Sequence, residues 1–181
     1  MSLELAWFAA LCDDDYEQLG VPDPSLASSY EHCLDIVQAA DRAGFDSILM
    51  PSGYTLGIDT VAFTAAVARQ TERISPIVAV RMGELWPPQL ARQLATLDHL
   101  LQGRMVVNII SSEMPGEQLA SAPRYTRTLE YMQALRTLLN GESLHAAGDF
   151  VHLDVDPPRL RRSEEHTSEL QSHLNLVCRL L

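Results

Sequence analysis

Four polar side chains stand where apolar runs of this sequence break off, and their types suit the capture of a small polar molecule. Residues 105–110, Met-Val-Val-Asn-Ile-Ile, are rich in β-branched residues and stop at Ser111 and Ser112. Asn108 carries an amide that donates and accepts hydrogen bonds, and Ser111 a hydroxyl with the same double capacity. Arg81 follows the apolar run 74–80. A guanidinium there offers paired N–H donors to an anionic group. Ser52, with Gly53, follows the run 45–50. Plainer readings stand beside these: Asn108 as a polar strand end satisfied by backbone, Ser111 as a loop hydroxyl, Arg81 as the partner of a loop carboxylate.

Such groups line up only if the runs are parallel strands, because parallel α/β folds bind ligands at the C-terminal edge of the sheet. The spacing predicts strands over 4–10, 45–50, 74–80 and 105–110, alternating with helices over 26–43, 59–71, 87–101 and 123–140. Tyr30, Leu34, Val37 and Ala40 or Ala43 share a face of the first helix, which Gly44 closes. Asp59 is placed to cap the second. Pro87 and Pro88 suit the entry of the third, where a missing N–H costs nothing. Leu90, Leu94, Leu97 and Leu101 make its apolar stripe, and Gly103 can take the left-handed conformation that stops it. Tyr131, Leu135 and Leu138 or Leu139 face inward from the fourth. Gly148-Asp149 then marks the turn of a hairpin over 143–147 and 150–154. Nearly unbroken apolar strands, the first included, predict a parallel sheet buried on both faces. An open doubly wound sheet and a (β/α)8 barrel both fit.

Composition narrows the chemistry. A net charge of −11 over 181 residues, without a basic stripe, argues against nucleic acid. Hydrophobic residues at 46% suffice for a core. Three cysteines, Cys12, Cys33 and Cys178, are too scattered for a disulfide framework or a zinc site, and point to a reduced, cytoplasmic protein. No apolar run approaches a membrane span, and the N-terminus reads as a strand rather than a leader. Asp13-Asp14-Asp15 reads as a solvated loop. His32, His99, His145 and His152 show no ligand spacing, so no metal is expected. The first strand–helix loop lacks G-x-G-x-x-G, and no phosphate-loop motif occurs.

The segment ARQLATLDHLLQGR, followed by the strand bearing Asn108, resembles the third helix and fourth strand of the bacterial-luciferase-like, flavin-dependent monooxygenases. A second matching block, R-Y-x-R-x-x-E, runs from Arg124 to Glu130, and the order of elements agrees from Leu3 to about Leu153. Within the superfamily the likeness is to the alkanesulfonate monooxygenase group. A cysteine that this group often carries a few residues after strand two is absent, Leu56 standing at about that place.

The resemblance selects the α/β fold of the (β/α)8, TIM-barrel type, truncated to about the first four β/α units plus the hairpin. It implies a flavin monooxygenase that uses reduced FMN, supplied by a separate flavin reductase, and O2 on a small organic substrate, an alkanesulfonate among the candidates. It implies that Asn108, Ser111, Tyr125 and Ser52 approach the flavin and that Arg81 faces the substrate. Tyr125 has the alternative of a core tyrosine, and Arg124 reads as a structural pairing partner. A homo-oligomeric parent follows from the same likeness. Rival readings on the same barrel are an F420-dependent oxidoreductase and a non-catalytic flavin- or partner-binding module.

The domain is expected over 1–161. Residues 162–181, RSEEHTSELQSHLNLVCRLL, leave the family pattern and look like translated sequencing-adaptor read-through. A (β/α)8 barrel needs roughly 250 residues. A half-barrel of this length exposes strand edges and apolar interior, so the 181-residue polypeptide is expected to be unstable or to aggregate, and not to turn over.

Overall fold

The computed structural model describes residues 3–13, 21, 25, 28–53 and 57–156. Leu56, Asp14, Asp15, Cys178 and the segment 162–181 lie outside these residues. Among the described residues ten elements follow in order: β1 Ala6–Phe8, α1 Tyr30–Ala43, β2 Ser47–Met50, α2 Thr60–Val67, β3 Ser75–Arg81, α3 Pro87–Leu100, β4 Val106–Ile110, α4 Ser121–Leu139, β5 Leu144–Ala147 and β6 His152–Val155. The first four strands form one sheet in the order β1-β2-β3-β4, and β5 and β6 form a separate two-stranded ribbon. β1 pairs parallel with β2, and β2 parallel with β3. Sequential parallel strands joined by helices are the repeating unit of the barrel expected from the sequence.

The chain divides into two compact units, Met1–Ala79 with Arg104–Val107, and Val80–Gly103 with Asn108–Leu181. The first is built around Ala9, Leu11, Cys33, Val37, Ile48, Met50, Phe63, Val67 and Ile74, all buried. Its helices start and stop as their caps dictate. Ser29 accepts the His32 amide at the head of α1, Gly44 ends it in the left-handed conformation, and Asp59 accepts the Ala62 amide at the head of α2. The buried face of α1 is Cys33, Val37 and Ala40; Tyr30 is 38% exposed and Leu34 only partly buried. Val37 and Ala40 thus face the core as expected, with Cys33 added and Tyr30 left exposed.

Arg104 completes this unit from far along the chain. Its Nη1 donates to Ile74 O at 2.6 Å, and its Nη2 to Thr71 O at 3.2 Å and Ala68 O at 3.3 Å. One guanidinium thus satisfies carbonyls left open where α2 ends and β3 begins. Burial pulls its pKa down, with the charge of Asp41 opposing. Asp41 closes the same turn from the other side, accepting the amides of Glu72, Arg73 and Ile74.

In the second unit, α3 packs on α4. Leu90, Leu94, Leu97 and Leu101 are all at most 1% exposed, and Tyr131, Ala134, Leu135 and Leu138 line α4. Each fully buried leucine contributes about 1.5–3 kcal/mol. The β5–β6 ribbon pairs Leu144 with Val155 and Ala147 with His152; its turn spans Gly148 to Val151, so the second arm begins at His152, two residues later than expected. It also carries a cross-strand His145–Asp154 pair at 2.8 Å, both residues largely exposed, which helical or ligand spacing could not reveal.

Two strands depart from expectation. β1 is exposed throughout, with Trp7 at 53%, and burial begins only at Ala9. β4 is half-buried at all five positions. Both stand at the ends of the strand order, where a neighbour covers one side at most. Apolar composition marks a strand as fit for burial without saying whether this chain supplies the cover.

Candidate functional site at the ends of β3 and β4

The second unit gathers its polar residues in the loops that follow β3 and β4. Arg81 is the last residue of β3, and its side chain is 2% exposed. Its Nε donates to Ser112 Oγ at 2.9 Å and its Nη1 to Glu84 Oε1 at 2.5 Å. Glu84 is 40% exposed. The plainer reading of Arg81, an ion pair with a loop carboxylate, is thus realised, and the arginine is fixed at the strand end as well. The Met82 amide donates to Ile110 O at 3.2 Å, which holds the two strand ends together.

A second arginine lies behind the first. Arg127, on α4, is 4% exposed, and its Nη1 donates to Glu117 Oε1 at 2.5 Å. Its Nη2 reaches Ser112 O at 3.5 Å, the long limit of a hydrogen bond. Glu117 also accepts the Met114 amide at 3.3 Å. The bond from Arg127 holds the Glu117 carboxyl below its ordinary pKa, against burial, with the Met114 amide adding to the effect. Arg124 pairs with Glu113 at 3.5 Å and donates to Ser121 Oγ at 3.0 Å, the structural role expected of it. Three arginines thus face three loop carboxylates, a local balance that a chain of net charge −11 does not advertise.

The third member of R-Y-x-R-x-x-E points elsewhere. The Glu130 carboxylate accepts the amides of Asp149, Phe150 and Val151 at 2.8–2.9 Å and caps the ribbon turn. Burial pushes its pKa up, but the three amides outweigh that and leave it lowered. Residues 124, 127 and 130 of one helix therefore tie down the loop after β4 and the ribbon that follows α4.

Asn108 lies on β4, half-buried. Ser111 follows the strand, and its Oγ is buried without a hydrogen-bond partner among the described residues. An orphaned hydroxyl of this kind costs about 1–3 kcal/mol, so its place next to Ser112 suits a polar ligand atom. Tyr125 is 47% exposed on α4. The structure joins Arg81 with Ser112 and sets Ser111 beside them in sequence. Ser52 belongs to the first unit, half-buried after β2. Missed from sequence were Glu84, Ser112, Glu117 and Arg127. The last was visible in the R-Y-x-R-x-x-E block, but its partner ten residues back falls at no helical spacing. Among the described residues no cluster of His, Cys, Asp or Glu could hold a metal, and no helix is long and apolar enough to cross a membrane.

Comparison with known proteins gives these observations a setting. The profile of the family described as luciferase-like monooxygenase matches residues 6–169. The sulfoquinovose monooxygenase of Novosphingobium aromaticivorans is 61% identical over 164 residues, 87% of this chain and 45% of that protein. The sulfoquinovose monooxygenase of Agrobacterium fabrum is 47% identical over 159 residues, 86% of this chain and 41% of that protein. The chain thus spans less than half the length of these curated relatives. In fold it is similar to the EDTA monooxygenase of Chelativorans sp. BNC1, with a TM-score of 0.73 at 18% identity over 89% of this chain and 48% of that one.

Proposed function

Since this chain belongs to the luciferase-like monooxygenase family, we propose that it is the N-terminal half of an FMN-dependent monooxygenase acting on a sulfonated sugar. The observation that carries this is the 61% identity to a sulfoquinovose monooxygenase across 87% of the chain. It favours a sugar sulfonate over a simple alkanesulfonate, and a flavin monooxygenase over an F420 enzyme. On this reading the barrel domain covers 1–161, residues 162–181 are foreign to it, and the remaining β/α units lie in the longer parent. Reduced FMN comes from a separate reductase, and the parent is a cytoplasmic homo-oligomer.

The residues of this half suit a flavin. Asn108 offers an amide able to donate and accept, Ser111 an unpartnered hydroxyl, Ser52 a second hydroxyl, and Tyr125 an aromatic face. When bound, reduced FMN supplies the electron pair that splits O2 between the substrate and water. The protein's part is to bind, orient and exclude water. Arg81 holds the sulfonate on this reading. Its guanidinium is buried and fixed through Nε, while Glu84 on Nη1 is exposed enough to swing into solvent. The sulfonate then takes the carboxylate's place, so binding exchanges one anion for another and leaves no buried cation unpaired.

The test uses the full-length parent with a flavin reductase, sulfoquinovose and O2, followed by oxygen consumption and release of the sulfonate sulfur as sulfite. Turnover with FMN, and none with F420 under matched reduction, supports the proposal. Flavin binding without oxygen consumption would sink it in favour of a non-catalytic module. Resequencing the gene past the codon for Arg161 tests the domain assignment: a frame continuing into further β/α units agrees with it, and a genuine stop after Leu181 does not.

A further inference from the structure

Arg127 is too well placed for a helix residue whose only task is an ion pair. It touches the surroundings of Arg81 on both sides. Its Nη2 lies 3.5 Å from Ser112 O, while the hydroxyl of the same serine accepts from Arg81 Nε at 2.9 Å. Its stem lies against the turn that follows β3: a Cβ built on Gly83 would meet Arg127 Cδ and Nε at 3.1 Å and Met114 Sδ at 3.0 Å. Gly83 follows Arg81 by two residues and has φ of +113°, a conformation open to glycine because it lacks Cβ. Glu117 fixes the guanidinium from the third side.

This arrangement is poor value as stabilisation. Arg127 Nε is buried with no partner among the described residues. A buried ion pair recovers little beyond its desolvation cost even when every donor is satisfied. What the pair does accomplish is geometric, because a planar guanidinium holds its partners in a fixed fork. We infer that Arg127 and Glu117 are positioning residues for the substrate anion site: they fix Ser112, and Ser112 orients the Arg81 guanidinium. The inference rests on the reading of Arg81 as the sulfonate-binding residue.

The test is made in the full-length parent, with sulfoquinovose as the probe and FMN binding, kcat, KM and Tm measured separately. Glu117→Gln keeps the shape and removes the charge that pins Arg127, so it is the mild variant; Ser112→Ala removes the link itself. Each is expected to raise KM for sulfoquinovose about 3–10-fold, with kcat and the FMN Kd within twofold. In an Arg81→Lys background, itself raised about tenfold, Glu117→Gln is expected to add less than twofold, since residues acting as one unit are not additive. An effect of Glu117→Gln that persists undiminished in that background, or that appears in kcat and FMN affinity alike, overturns the positioning role in favour of a structural one. Unchanged KM in both Glu117→Gln and Ser112→Ala, with Arg81→Lys impaired, also overturns it while leaving the substrate reading intact. Unchanged KM in Arg81→Lys overturns the substrate reading and the inference with it.

Discussion

Replacing Glu130 by alanine should open the β5–β6 turn without unfolding the helix that carries it. Three amides lose their acceptor, those of Asp149 at 2.9 Å, Phe150 at 2.8 Å and Val151 at 2.9 Å. They do not count equally. Asp149 is exposed, so water replaces the carboxylate there at small cost. Phe150 is half-buried and Val151 only 1% exposed. Hydrogen bonds to a charged group contribute about 1.5–3 kcal/mol each when buried; half-burial of Glu130 argues for the low end, giving roughly 2–3 kcal/mol for the two that matter. Alanine is a good helix former, so α4 itself loses nothing. The assay is amide hydrogen exchange of the full-length parent. At about 1.4 kcal/mol per factor of ten, protection at Phe150 and Val151 should fall about 30–100-fold, with α3 and the helical amides of α4 unchanged. Glu130→Gln, which keeps one acceptor oxygen, should fall between. A loss below threefold at these amides would refute the capping role. An equal loss across the second unit would show that Glu130 supports the global fold instead.

Gly83→Ala should destabilise by about 2 kcal/mol or more, since φ of +113° strains any L side chain and the added carbon presses on Arg127 and Met114; thermal melting measures it, and a neutral effect would mean the turn relaxes freely. Arg104→Lys should cost about 2–3 kcal/mol in a denaturant titration, because a single ammonium cannot span the carbonyls of Ala68, Thr71 and Ile74 that the guanidinium serves together; a lysine variant as stable as the parent would show that charge alone suffices. Acidification should weaken the loop after β4. The Glu117 pKa is lower folded than unfolded, so its contribution is fully present above about 4.3 and is lost as pH falls through the folded value. The fall of Tm below pH 5 should therefore be shallower in Glu117→Gln, and an identical pH profile would remove Arg127–Glu117 from the acid response.

Local signals in the sequence carried most of the fold. The stripe of Leu90, Leu94, Leu97 and Leu101 and the caps at Asp59 and Gly44 are decided within a few residues, and the structure has them as read; the hairpin turn begins at Gly148 as read but runs two residues longer. What failed depended on neighbours distant in sequence. Cys33 is buried in the core of the first unit, which includes Ala9 and Leu11 from far upstream, and Leu34 packs against that core only in part. β1 lies exposed because exposure is a property of strand order, which composition does not encode. The candidate site divides the same way. Arg81 and Ser111 were legible as polar residues where apolar runs end, whereas Asn108, read as a strand end, is the third of the five residues of β4. Glu117 and Ser112 were not legible, since the pairings that give them meaning span 10 and 31 residues.

Arg104 has a consequence for the timing of synthesis. The carbonyls it serves lie in the first 79 residues, yet the arginine itself is made only after the whole of Val80–Gly103. At 5–20 residues per second, those intervening residues take about 1–5 s to translate. For that interval the nascent first unit has its leucine, valine and isoleucine core but no guanidinium to close the turn between α2 and β3.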